Sequence, residues 1–255
     1  MKLLYLDIET APNVSYTWGG KYDQNVIAFQ REKYILCFSY QWEGEGETHV
    51  VAQPDFKKAF KADRHDDKMV LRALWDLLDT ADVVCGHNIR GFDLKNINSG
   101  FVTQDMPPPS PYLTIDTLKI ARANFKFNSN SLKDLCITLG LPHKEDAGGF
   151  STWLGAMEGD ADSWEKMVSY ARQDTALLPL LLKRLRPFAK GLPSMNFGDV
   201  HACPVCCAEE KNLTRRGFRF TKTGKFQTWH CGQCLGWSSS RISSVNSDGR
   251  PRRVS

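Results

Sequence analysis

Two Cys-x2-Cys pairs, Cys203-Pro204-Val205-Cys206 and Cys231-Gly232-Gln233-Cys234, constrain this chain more than any other feature of its sequence. Five of the eight cysteines fall between residues 203 and 234, whereas Cys37, Cys85 and Cys136 stand singly in apolar surroundings, as inert buried thiols do. Four thiolates in two close pairs form the donor set of a closed, tetrahedral Zn²⁺ site. In a cytosolic chain that pattern points to a metal rather than to a disulfide framework. The 24 residues between the pairs exceed the roughly 15–20 of the simplest four-cysteine sites. Leu213 to Phe220 and Lys225 to His230, turning at Thr223-Gly224, would fill that gap as a hairpin. A module this poor in aliphatic side chains draws much of its folding energy from the ion. Cys207, His201 and His230 lie beside the pairs and are expected to stay outside the ligand set.

Charge divides the chain in the same place. Residues 201–255 carry ten Lys and Arg against three acids, Glu209, Glu210 and Asp248, whereas residues 1–200 carry 23 against 26. A weakly acidic body with a strongly basic end suggests an anionic polymer as partner. Arg215, Arg216, Arg219, Lys222 and Lys225 interleave with Phe218, Phe220, Phe226 and Trp229, a mixture suited to phosphate contacts and base stacking. A ribbon that docks on protein is the rival reading. The expected organisation is a body at 1–188, a linker at 189–200 and a zinc module at 201–240. A basic tail follows at 241–255, with disorder expected from Ser238 on. No apolar stretch approaches the roughly 20 residues that cross a bilayer. Met1 to Leu6 reaches Asp7 too early to be a secretory leader, so a cytoplasmic protein is expected.

Within the body, Leu3-Leu4-Tyr5-Leu6 reads as a strand that ends in Asp7-Ile8-Glu9. A Gly-, Asn- and aromatic-rich segment from Ala11 to Lys33 follows, with a turn signal at Trp18-Gly19-Gly20. Tyr34 to Trp42 and Thr48 to Ala52 read as a hairpin. Asp66 to Asp79 is helical by the three- and four-residue spacing of Val70, Leu71, Leu74 and Leu78. Strands are expected at 81–88 and 112–116, and helices at 92–102, 117–124 and 131–139. Lys144 to Gly159 reads as a Gly-rich loop. The last long helix, about 161–185, is expected to kink or break at Pro179. The order of elements predicts an α/β fold, a mixed β-sheet flanked by helices.

Alternation along a strand projects Asp7 and Glu9 from one face, where two anions repel unless a cation lies between them. His87-Asn88-Ile89-Arg90-Gly91-Phe92-Asp93 places an acid just after a strand, and Tyr170-Ala171-Arg172-Gln173-Asp174 puts a phenol and an acid on one helix face. Taken in order, Asp-x-Glu, Asn-x3-Phe-Asp and Tyr-x3-Asp resemble the DnaQ-like, RNase H-like 3′–5′ exonucleases. The similarity is to their Tyr-containing four-carboxylate branch, which includes the proofreading domains of family B polymerases. It covers about residues 1–188, and the opening Asp7 to Asn13 also looks like stand-alone phage exonucleases. Ser169 occupies the position where a sister branch carries a His, and Thr175 follows Asp174 where relatives often carry Val. The Cys module resembles the zinc ribbons of transposases and other nucleic-acid enzymes.

The resemblance implies a metal-dependent phosphodiester hydrolase acting on a single-stranded 3′ end, with DNA favoured. RNA, or a binding and recruitment module with secondary catalysis, are the alternatives. Its cofactors would be two Mg²⁺ or Mn²⁺ beside one structural Zn²⁺. Asp7 would bridge both catalytic ions. Glu9 and Asp174 would hold the one that carries the attacking water, Asp93 would hold the other largely through water, and Tyr170 would orient the nucleophile. His87, Asn88, Arg90 and Phe92 lie beside the metal loop as candidate substrate contacts, and Arg215, Arg216 and Arg219 as contacts on the ribbon. Replication or recombination proteins are further partners expected through the ribbon, and the host cytoplasm is the expected setting if the chain is phage-encoded.

Overall fold

The computed structural model describes residues 1–19, 25–143, 149–196, 202–222 and 224–244. The chain divides into two compact units, Lys2–Leu182 and a second from Lys183 onward. Among the described residues no helix is long and apolar enough to cross a membrane.

The first unit runs β1 (Leu3–Thr10), β2 (Val14–Thr17), β3 (Val26–Arg31), β4 (Ile35–Trp42), β5 (His49–Ala52), α1 (Lys57–Ala62), α2 (Lys68–Asp79) and β6 (Val83–Gly86). It continues with α3 (Asp93–Thr103), β7 (Leu113–Asp116), α4 (Thr117–Asn124), α5 (Leu132–Thr138), α6 (Phe150–Glu158) and α7 (Ala161–Leu185). One five-stranded sheet in the order β5-β4-β1-β6-β7 forms its centre. β4 and β5 join antiparallel, whereas β1, β6 and β7 lie parallel, so the sheet is mixed. This is the mixed α/β sheet flanked by helices that the order of elements predicts.

Strand alternation turns one face of β1 into the core beneath α2 and α3, and a second core lies across the sheet. Leu4, Leu6 and Ile8 pack with Phe38 against Val70, Leu71 and Leu74 of α2 and Ile97 and Phe101 of α3. Each such side chain, fully buried, stabilises by about 1.5–3 kcal/mol. On the other side Leu36 and Cys37 pack with Ala156 and Met157 of α6 and Trp164, Met167 and Ala171 of α7. Asp7 and Glu9 alternate with Leu6 and Ile8, so they project away from α2 and α3.

Several elements depart from the sequence expectation. The segment after Thr10 contains an antiparallel hairpin, β2 with β3. β3 is exposed along nearly its whole length, so no inward and outward alternation existed to be read. The segment expected as a loop at 144–159 contains α6. Its flanking glycines are end devices, with Gly149 at φ 73° and Gly159 at φ 86°, conformations a side chain disfavours. Residues 144–148 of that segment lie outside the described residues. Of the kink or break expected at Pro179, the break is absent, since α7 continues through that residue.

The second unit carries β8 (Leu213–Phe220), β9 (Lys225–Cys231) and β10 (Trp237–Ser239), a three-stranded sheet in the order β10-β9-β8. The expected hairpin is β8 with β9; β10 is an addition. Disorder was expected from Ser238, but Ser240 N donates to Gln227 O and Ser244 N to Lys225 O, which ties this segment along β9. Arg250, Arg252 and Arg253 lie outside the described residues. The expected linker is also tied down in part, since Met195 N donates to Pro204 O at 2.6 Å.

Candidate active site and metal centre

Carboxylate oxygens of Asp7, Glu9 and Asp174 lie within 4.8 Å of one another. β1 supplies the first two from its outward face, and α7 supplies the third. What fixes α7 there is a buried hydroxyl pair. Ser39, opposite Asp7 in the β1–β4 ladder, donates from Oγ to Ala171 O at 2.8 Å, and its Oγ lies 2.7 Å from Thr175 Oγ1. Neither residue is exposed at all. Thr175, a departure from the family pattern, thus has a local partner in Ser39.

Tyr170 lies one helical turn before Asp174 and hydrogen-bonds its carboxylate. Burial, then the negative charges of Asp174, Glu9 and Asp7, push its phenol far above the ordinary value of 10. A phenol so placed keeps its proton and acts as a donor. Trp153 of α6 packs edge-on against its ring with centroids 5.6 Å apart. Sequence reasoning missed Trp153 because it lay in the presumed loop. Cys37, paired with Glu9 across the sheet, is raised well above an ordinary thiol by burial and by the charges of Glu9 and Asp7, so it is inert.

Asp93 lies apart from the three clustered acids. It begins α3, is 2% exposed, and its Oδ1 accepts from Ile8 N at 3.2 Å. The last β1–β6 pair is Tyr5 with Cys85, and Asp93 takes up the β1 edge just beyond it. Burial, with the charge of Asp116 adding to it, raises its carboxyl to about 7. Asp116 caps α4 through Leu118 N and Lys119 N and also accepts from Asn88 N at 3.1 Å.

The loop 87–92 is built by the same contacts. His87 Nδ1 lies 2.9 Å from Thr117 Oγ1, and its Nε2 donates to Asn130 O at 2.9 Å. Burial lowers its pKa, and both ring nitrogens are occupied within the protein. Asn88 sits at φ 65° with its side chain closed over Gly91. The Arg90 guanidinium bonds Thr114 Oγ1, and Phe92 is 42% exposed. Of this quartet Arg90 and Phe92 reach the surface, while His87 braces the loop.

The four ribbon cysteines also converge. Sγ atoms of Cys203, Cys206, Cys231 and Cys234 lie within 4.8 Å, with Cys203 to Cys234 and Cys206 to Cys231 both at 3.8 Å. A tetrahedron with Zn–S bonds of about 2.3 Å has edges of about 3.8 Å. Backbone N–H groups point at the sulfurs: Val205 and Cys206 at Cys203, Ala208 at Cys206, Gly236 at Cys234. The hydrogen bond between Cys234 and Cys203 holds Cys203 below the usual thiol range and pushes Cys234 up, and burial raises Cys206, so the cluster favours one thiolate, at Cys203, and resists further ionisation without a cation. A Cβ at Gly236 would stand 3.2 Å from Cys234 Sγ, a tight contact against a ligand sulfur. Cys207 is exposed and directs its thiol to Met195 O; the His230 ring packs against Trp237; His201 lies outside the described residues. Arg215, Arg216 and Arg219 lie exposed along β8.

A mixed sheet with acids gathered at its central strand, joined to a four-Cys ribbon, defines an RNase H-like protein. The chain belongs to the RNase H superfamily: the RNase_H superfamily model (RNase_H_2) matches residues 29–186, a span that includes Asp93, Tyr170 and Asp174 but not Asp7 or Glu9. Among solved structures the chain resembles that of the family B DNA polymerase from the hyperthermophilic archaeon Pyrobaculum calidifontis. That match has 14% identity and a TM-score of 0.53, and it covers 73% of this chain and 24% of the polymerase. No curated protein matches the chain.

Proposed function

We propose that this chain is a two-metal 3′–5′ exonuclease of the Tyr-containing DnaQ-like branch, releasing nucleoside monophosphates from nucleic acid, with DNA as the favoured substrate. The observation that carries the reading is the meeting of Asp7, Glu9 and Asp174 with a Tyr170 hydroxyl bonded to Asp174. Three carboxylates this close repel one another, and hard oxygen donors suit Mg²⁺ or Mn²⁺. Asp7, Glu9 and Asp174 would hold these ions, with Asp93 completing the set. Bound there, the ions would neutralise phosphate charge and lower the pKa of the attacking water.

The protein's own groups do the positioning. Tyr170, protonated throughout the physiological range, gives its one proton to Asp174, and its oxygen accepts from the attacking water and so orients it rather than deprotonating it. Asp93 keeps the β1 edge in place through Ile8 N. Arg90 and Phe92 present a cation and a ring beside the site for a phosphate and a terminal base. The ribbon holds one structural Zn²⁺ and offers the β8 arginines to the nucleic-acid backbone.

The test is digestion of 5′-labelled single-stranded DNA, duplex DNA and RNA, each with Mg²⁺ and with Mn²⁺. A ladder shortening from the 3′ end is expected, and Asp7→Ala should abolish it with the circular dichroism spectrum unchanged. Retained digestion by Asp7→Ala, or shortening from the 5′ end, sinks the assignment. The purified chain should carry one zinc, and Cys231→Ser with Cys234→Ser should carry none.

A further inference from the structure

We infer that a groove within the second unit, between the segment 186–194 and the β9–β10 side of the ribbon, binds an unpaired nucleic-acid strand. The groove encloses about 640 Å³, and its wall comes from Arg186 to Phe188, at the end of the expected body, and from 189–194 of the expected linker. Arg186, Lys190 and Arg219 line it, with no Asp or Glu among the lining residues. Two large rings lie along it, Phe188 at 59% exposure and Trp237 at 55%.

This is a shaped site rather than a loose basic surface. The Arg219 guanidinium lies 5.1 Å from the Phe226 ring centroid, which restricts the cation before any phosphate arrives. Trp237 is steadied by His230, with ring centroids 5.0 Å apart. The wall is anchored on the first zinc knuckle, because Met195 N donates to Pro204 O and the Cys207 thiol donates to Met195 O at 3.4 Å. The groove therefore depends on the metal-bound form of the ribbon. Cations without acids select a polyanion, and exposed ring faces beside them select one with flat bases. A duplex hides its base faces, so the occupant is single-stranded. Its chemistry is that of the proposed nuclease's substrate, but the groove takes it through residues of its own.

The experiment measures fluorescence anisotropy of a 5′-fluorescein oligothymidylate with the zinc-loaded, full-length Asp7→Ala chain, without added Mg²⁺ or Mn²⁺. Trp237→Ala should weaken binding about 5- to 150-fold, the range for one stacked base. Lys190→Ala, at an exposed position with little risk to folding, should reduce the slope of log K against log salt by about 0.7. Arg72→Ala, which removes an exposed arginine of α2, serves as the charge control and should change neither. Zinc content and circular dichroism confirm that each variant is folded. Unchanged affinity in Trp237→Ala together with an unchanged salt slope in Lys190→Ala overturns the inference. So does competition by polyglutamate as effective as that by unlabelled oligothymidylate, which would mark an acidic peptide as the occupant. No hydrolysis enters this measurement, so a native chain that never shortens DNA sinks the nuclease proposal and leaves the groove standing.

Discussion

The buried hydroxyl pair Ser39 and Thr175 supports a double-mutant cycle whose sign follows from the hydrogen-bond directions. Ser39 Oγ has one proton and gives it to Ala171 O, so Thr175 Oγ1 is the donor to Ser39 Oγ at 2.7 Å. Thr175→Val keeps the shape, removes that donor and leaves Ser39 bonded to Ala171 O, which costs about 1 kcal/mol. Ser39→Ala is worse. It leaves the Thr175 hydroxyl, wholly buried, with only Ser39 O at 3.3 Å, at a cost of about 1–3 kcal/mol. The double variant strands no hydroxyl and should be no less stable than Ser39→Ala alone, which gives a coupling of about 1 kcal/mol. For a chain of this size that corresponds to roughly 2–4 °C in Tm. Urea and thermal unfolding of the zinc-loaded protein, followed by circular dichroism, measure all four corners. If the double variant loses the sum of the two single losses, the hydroxyls are not coupled and the clamp on α7 is refuted. Thr175 follows Asp174, so Ser39→Ala should also slow digestion more than Thr175→Val does.

Gly86→Ala should destabilise by about 1–3 kcal/mol, because a Cβ there would stand 2.8 Å from Leu6 O, a backbone atom next to Asp7 that cannot yield; an unchanged Tm would contradict it. Trp153→Ala, which removes the edge-on support of Tyr170, should lower the digestion rate about 2- to 10-fold, as fits an aromatic contact of about 0.5–1.5 kcal/mol. Trp153→Phe should recover most of that loss. The Asp93 carboxyl is raised from 3.8 to about 7 in the metal-free protein, so the folded state holds this proton more tightly than the unfolded chain. Its contribution is complete below about pH 4 and is lost as pH rises through 7. Without metal, Tm should fall between pH 5 and 8, and Asp93→Asn should flatten that fall; an equal slope in both proteins would refute the shift.

What could be read from the sequence was whatever depends on short spacing. Asp7 and Glu9 share a face because strands alternate, Tyr170 and Asp174 because four residues make one helical turn, and each Cys-x2-Cys closes on itself. The fold class was also legible, since apolar periodicity marks β1, α2 and α7 and their order leaves few topologies. The exposed strand β3 was not, because no burial pattern is written into it. Nor was α6, whose glycines act at its ends rather than breaking its middle.

By itself the sequence determined the local chemistry: which acids pair, which thiols pair and which strongly periodic segments are strand or helix. Only the tertiary structure decided that the β1 acids meet Asp174, that Asp93 stands apart at the β1 edge, and that Ser39 and Thr175, 136 residues apart, close on one another. It also turned part of a presumed linker into part of the wall of a basic groove. Each of these depends on which faces of distant elements bury one another, and that choice is made by packing the whole core at once.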